Sequence, residues 1–365
     1  MIPLIKPDIS FDEVKADIEA ILDSGRLTTG PFVARFEREF SAYVGTSHAA
    51  ATTSATTALH MALAARGIGA GDEVLVSDFT FPASGNAIVQ TGATPVMVDC
   101  RPDRFDLDFD DARRKVTKRT RAIMIVHPFG QPVPYDDLAR FRNETGLWVL
   151  EDAACATGSR SGNIRCGAMG DVAAFSFHPR KILTTGEGGM ITTGDSALSE
   201  RITVLRTHGS RAGESGLTFV ENGFNYRMSE IQAALGLAQL KRIDAIMAER
   251  RRVAGLYMDE MADLNFLTVP LSGTHDECSF QSFVVLLAEE VDRTAVIARL
   301  REEGIESTLG TYAMHGHPAF ARFDYAAGDL RHAFAAERRS LTLPLYKGMN
   351  RQDVAHIVAV LKRAV

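Results

Sequence analysis

Cysteine is scarce in this chain: Cys100, Cys155, Cys166 and Cys278 are the only four in 365 residues, and their spacing suits neither a metal site nor a disulfide framework. That excludes a small cross-linked secreted fold and predicts reduced thiols, a cytoplasmic protein and no metal centre. No run of Lys and Arg is interleaved with aromatics and the net charge is only -6, so the footprint of a nucleic-acid partner is missing. The densest basic cluster, Arg250, Arg251 and Arg252, falls in a predicted helix and reads as a solvated face. No stretch approaches the ~20 apolar residues of a membrane span. The apolar start at 2–5 is too short for a signal-peptide core and runs straight into Asp8 and Asp12. Low-complexity tracts and fixed-period repeats are absent as well.

What remains is a chain too long for one hydrophobic core to organise, so a large and a smaller domain are expected, 1–240 and 241–365. Between about 45 and 195, short β-rich runs alternate with helical segments, at 73–77, 94–99, 122–126, 147–151, 172–177 and 189–193. Continuous apolar runs of this kind belong to strands covered on both faces, which predicts an α/β domain with a largely parallel sheet. Ser229 and Gln232 make a capping box for a long helix predicted to run past Arg250. Beyond 260 the signals change to a strand at 280–287 and helices at 293–303 and 353–363, a small α+β unit.

Three features sit where an open α/β sheet places its ligands, outside the carboxyl ends of the strands, and a fourth is a helix start. Lys181 closes Ser176-Phe177-His178-Pro179-Arg180-Lys181 and precedes the glycine-rich Gly186-Glu187-Gly188-Gly189; a lysine beside such a turn is readily desolvated to a neutral amine. Asp152 ends an apolar strand, and its alternative reading is an N-cap for the turn that follows. Ser54-Ala55-Thr56-Thr57 opens a helix that stops at Gly67, and its unpaired N–H groups suit an anion, or serve plain capping. Phe81 follows the strand at 73–77 and reads as a stacking aromatic or as core. Amine, carboxylate, anion cup and flat apolar group are together what pyridoxal phosphate (PLP) asks of a protein.

These residues, with Gly71-Asp72-Glu73-Val74, Gly92-Ala93-Thr94-Pro95-Val96, Glu151-Asp152-Ala153-Ala154, Asn225-Tyr226-Arg227-Met228 and Leu343-Pro344-Leu345, resemble the sugar aminotransferases of the DegT/DnrJ/EryC1/StrS family from about Gly25 onward. The resemblance implies the PLP-dependent transferase fold type I: a large α/β domain with a mostly parallel mixed sheet flanked by helices, plus a small α+β C-terminal domain. It implies that Lys181 is the Schiff-base lysine, that Asp152 partners the pyridine nitrogen and that Phe81 stacks on the ring. Ala55, Thr56 and Ser176 become phosphate ligands, and Asn225 a phosphate ligand delivered to the other chain of a homodimer with shared active sites. Two positions depart from the family pattern: Ala55 stands where glycine is usual, and Cys155 where glutamine or histidine is frequent, so the contact to the cofactor's phenolic oxygen falls to a weak donor. His178, and Tyr312, His315 and His317 from a loop of the small domain, are the candidates for sugar contacts, and each reads equally well as a satisfied structural residue.

The activity implied is transfer of an amino group from glutamate to a nucleotide-linked keto sugar. Related proteins that eliminate water from the sugar carry histidine in place of the lysine, and Lys181 argues against that outcome. A regulatory descendant of the fold has no use for both Lys181 and Asp152. A nicotinamide oxidoreductase requires a G-x-G-x-x-G between strand and helix, and none is found.

Overall fold

A computed structural model describes residues 1–214, 216–271, 277–326 and 328–365. Its centre is a seven-stranded sheet in the order His48–Thr52, Gly189–Thr193, Val172–Ser176, Trp148–Asp152, Thr120–Val126, Glu73–Ser77, Thr94–Val98. The last five strands pair in parallel, and the first two join antiparallel at one edge. Strand side chains alternate between faces, and the packing follows suit. Val74 and Val76 enter one core with Met124 and Leu150, whereas Leu75 enters another with Ile123, Ile125 and Val149. Because both faces are covered, all five residues of Glu73–Ser77 are buried.

The first core receives the helix Ala55–Arg66, capped at its start by Ser54 and Thr57 and ended by Gly67 at φ 82°. Positive φ at that position is inexpensive only for glycine. The second core is rich in aromatics: Phe40 meets Phe175 edge-on at 5.0 Å, and Phe36 lies 5.3 Å from Phe177. Each such buried ring contributes about 1.5 to 3 kcal/mol. Helix Glu230–Leu240 closes on Phe36 at Gly236, where a methyl group would come within 2.5 Å of the ring.

The long helix expected from Ser229 is in fact two, Glu230–Leu240 and Ile243–Met261. At the break Arg242 leaves helical geometry (φ -121°, ψ 20°), and its guanidinium binds Asp8 at 2.6 Å and Glu13 at 3.0 Å. Nor is Arg250 solvated. It is buried and donates to the carbonyls of Phe280 (2.9 and 2.7 Å) and Gln281 (2.7 Å). Phe280 has φ 48° and cannot extend a strand, so the strand expected from 280 begins later, as Phe283–Leu287. Burial lowers the Arg250 pKa to about 10, which leaves it charged at neutral pH.

That strand belongs to a four-stranded antiparallel sheet ordered Leu267–Thr268, Phe283–Leu287, Ser340–Leu343, Thr308–Leu309. Helices Ile243–Met261, Arg293–Glu302 and Arg351–Ala364 share a third core with it. Two short strands join this unit to the main sheet's carboxyl edge, Tyr312–Ala313 pairing with Phe79–Thr80. Among the described residues no helix is long and apolar enough to cross a membrane.

Candidate active site

Parallel strands deliver their last residues to the same edge of a sheet. Asp152 ends one strand and Ser176 ends its neighbour, and the turn after Ser176 carries Lys181 back to that edge. The turn is closed by Lys181 N–H donating to the His178 carbonyl at 2.8 Å. A cavity of about 550 Å³ opens there, with Asp152, Cys155, Ser176 and Lys181 on its wall. Ala55 and Thr56 line it from the helix start, Phe81 from beyond Thr80, and Thr311 from the second unit.

Asp152 is 6% exposed. Its Oδ1 accepts from Ala154 N–H at 3.1 Å and its Oδ2 from the Ser84 hydroxyl at 2.6 Å. No helix starts after it, so the N-cap alternative reduces to the single Ala154 bond. Lys181 Nζ lies 2.9 Å from Cys155 Sγ. Among the described residues, neither Lys181 nor Asp152 takes part in an ion pair. The Ala154 and Ser84 donors satisfy the buried carboxylate in part but supply no counter-charge, so a cation arriving in the cavity is favoured beside it.

The helix Ala55–Arg66 begins on the cavity wall because Gly189 lets the antiparallel strand pass against its cap; a methyl there would lie 2.5 Å from the Ser54 carbonyl. Ser54 Oγ accepts from Thr57 N–H at 3.1 Å, and the N–H groups of Ala55 and Thr56 have no acceptor among the described residues. Two free donors at the positive end of a helix make an anion site. Phe81 is 65% exposed with its ring 6.3 Å from Tyr312, leaving a face free at the cavity.

Of the sugar-contact candidates only His178 lines the cavity. Its Nδ1 accepts from Arg180 N–H at 3.2 Å, so a neutral ring carries its proton on Nε2, and burial lowers its pKa. Tyr312, His315 and His317 lie off this cavity, because other groups hold the loop. Asp78 takes His315 Nδ1 at 2.6 Å and Glu337 takes His317 Nε2 at 3.2 Å. Asn225 is exposed and bridged to Thr207, also away from the cavity. Sequence reasoning missed Ser84 and Gln281, whose Nε2 donates to the Arg180 carbonyl at 2.8 Å. Neither residue belongs to a local motif.

An amine outside any ion pair, a buried carboxylate without a cation and a helix start with unused donors, all facing one cavity, fit pyridoxal phosphate, and the fold around them is that of the type I PLP-dependent transferases. The pattern of the DegT/DnrJ/EryC1/StrS aminotransferase family matches residues 9–362. The chain is 42% identical over 344 residues to the GDP-perosamine synthase of Caulobacter vibrioides, covering 93% of this chain and 91% of that one. It is 36% identical to the dTDP-3-amino-3,4,6-trideoxy-alpha-D-glucose transaminase of Streptomyces venezuelae, covering 99% and 95%. The Streptococcus pneumoniae protein Spr1654, solved in its PLP form, superposes with a TM-score of 0.93 at 27% identity over 100% and 99% of the two chains. This chain belongs to the DegT/DnrJ/EryC1/StrS aminotransferase family, and it is a PLP-dependent sugar aminotransferase.

Proposed function

We propose that the protein moves an amino group from glutamate to the carbonyl carbon of a nucleotide-linked keto sugar. The observation that carries this is Lys181 and Asp152 on one cavity wall beside the helix start at Ala55 and Thr56. The nucleotide is supported by two relatives, whose names specify GDP-linked and dTDP-linked sugars. When bound, PLP supplies a pyridine ring that spreads the negative charge left on a carbon that loses its proton.

Lys181 Nζ is assigned two tasks: holding the cofactor covalently and, once released from it, carrying the proton from one carbon to the other. Asp152 keeps the ring nitrogen protonated. The Ala55 and Thr56 N–H groups and the Ser176 hydroxyl bind the phosphate, and Phe81 covers one face of the ring. Cys155, beside Lys181 Nζ, is the group available to the phenolic oxygen. His178 is the sugar-facing candidate that reaches the cavity. Each chain's Asn225 is assigned to the phosphate of the other chain's site in a homodimer.

The test is to incubate PLP-loaded protein with glutamate and a panel of GDP- and dTDP-linked keto sugars, following 2-oxoglutarate and the amino sugar. Formation of both, in equal amounts, is expected. Conversion of glutamate by the cofactor with no acceptor aminated would overturn the nucleotide-sugar assignment.

A further inference from the structure

Ser84 lies in the first turn of helix Ala83–Gln90 and is fully buried, an unusual place for a hydroxyl without a partner. Its Oγ is 2.6 Å from Asp152 Oδ2 and 2.9 Å from Thr80 Oγ1, itself 3% exposed. A hydroxyl has one proton to donate, and an ionised carboxylate only accepts. Ser84 must therefore spend its proton on Asp152, which leaves Thr80 as the donor to Ser84. The chain of bonds runs one way, Thr80 to Ser84 to Asp152, and each bond polarises the next. With Ala154 N–H on Oδ1, both carboxylate oxygens are fixed, yet each keeps a lone pair for another donor.

We propose that Ser84 is a positioning residue for transamination: oriented by Thr80, its hydroxyl holds the Asp152 carboxylate in one orientation toward the cofactor's ring nitrogen. The proposal rests on the assignment of Asp152 to that nitrogen. Thr80 pairs along the backbone with Tyr312, so the relay is anchored on the second unit as well as on the main sheet. A carboxylate stripped of this donor is held by Ala154 N–H alone and points less firmly at the ring nitrogen.

The experiment uses holoenzyme loaded with PLP carrying 15N at the ring nitrogen, in the wild type and in Ser84→Ala, Ser84→Thr, Thr80→Val and Asp152→Asn. The 15N shift reports ring protonation, and the glutamate half-reaction, followed as a single turnover, gives a limiting rate constant, written kcat, and a half-saturating glutamate concentration, written KM. Ser84→Ala is expected to move the 15N signal part of the way toward that of Asp152→Asn and to lower kcat about tenfold or more, with KM changed less than about twofold. Thr80→Val should shift the signal in the same direction by less, and Ser84→Thr should restore it. Thr80→Val does not touch the Asp152 side chain, so it carries the test if Ser84→Ala fails to fold. Wild-type signals and kcat in Ser84→Ala and Thr80→Val, alongside a displaced signal in Asp152→Asn, would overturn the role of Ser84. An unmoved signal in Asp152→Asn would instead overturn the assignment of Asp152, and the proposal with it.

Discussion

Lys181 and Asp152 stand out in the sequence because each follows a run of buried strand residues, and strand ends are where an α/β sheet meets its ligand. Ser84 could not be found that way, since its partner lies 68 positions along the chain. His315 and His317 read in the sequence either as sugar contacts or as structural residues, and Asp78 and Glu337 hold their rings away from the cavity. Asp152→Asn is expected to keep its fold and its bound cofactor but to lose most turnover. An amide cannot hold a proton on the ring nitrogen, and such preorganised charge is commonly worth about 3 kcal/mol of barrier or more, a loss of 10²-fold or greater. Steady-state kinetics decides it, and near-native turnover would assign the task to another group.

Among the elements, Glu73–Ser77 and Gly189–Thr193 were legible because full burial leaves an apolar or β-rich run between turn residues. His48–Thr52, Ala-rich and without alternation, carried no such signal; its pairing with Gly189–Thr193 makes it a strand. The break at Arg242 depends on Asp8 and Glu13, more than 200 positions away, which no local pattern encodes. The loop beyond Tyr312 supplies a prediction about pH. The hydrogen bond to Asp78 raises the His315 pKa above 6.5, with Asp99 and Glu337 adding to it, and burial works against the rise. A raised histidine contributes stability that is fully present below its unfolded pKa and lost as pH rises through its folded value. Burial also raises Asp78, so the charged pair persists only above the pKa of that carboxyl. His315→Gln should therefore lower the thermal midpoint more at about pH 6 than at about pH 9. An equal deficit at both would show that the pair contributes through shape alone. Arg250 supplies another prediction: Arg250→Ala removes the buried donor to the Phe280 and Gln281 carbonyls and should destabilise the chain by about 2 to 5 kcal/mol. Urea unfolding measures this, and a loss below about 0.5 kcal/mol would return Arg250 to the surface reading.

For the whole molecule, Asn225 is exposed outside its own chain's cavity, and the proposed homodimer gives it a task. If each site takes Lys181 from one chain and Asn225 from the other, a mixed dimer of Lys181→Ala and Asn225→Ala contains one doubly damaged site and one intact site. Random exchange makes about half the dimers mixed, so roughly a quarter of all sites regain wild-type behaviour. Activity of the exchanged mixture above the mean of the two parents, at limiting cofactor, is expected; activity no higher than that mean, with exchange verified, would confine each site to one chain. The central claim is that the cofactor is carried by the amine at this one sheet edge. Borohydride reduction of the PLP-loaded protein followed by peptide mass mapping tests it most directly. The account predicts a reduced pyridoxyl adduct on the peptide containing Lys181, together with loss of the visible band, and no adduct in Lys181→Ala. A stable adduct on another lysine, or an unchanged visible band in Lys181→Ala, would contradict it.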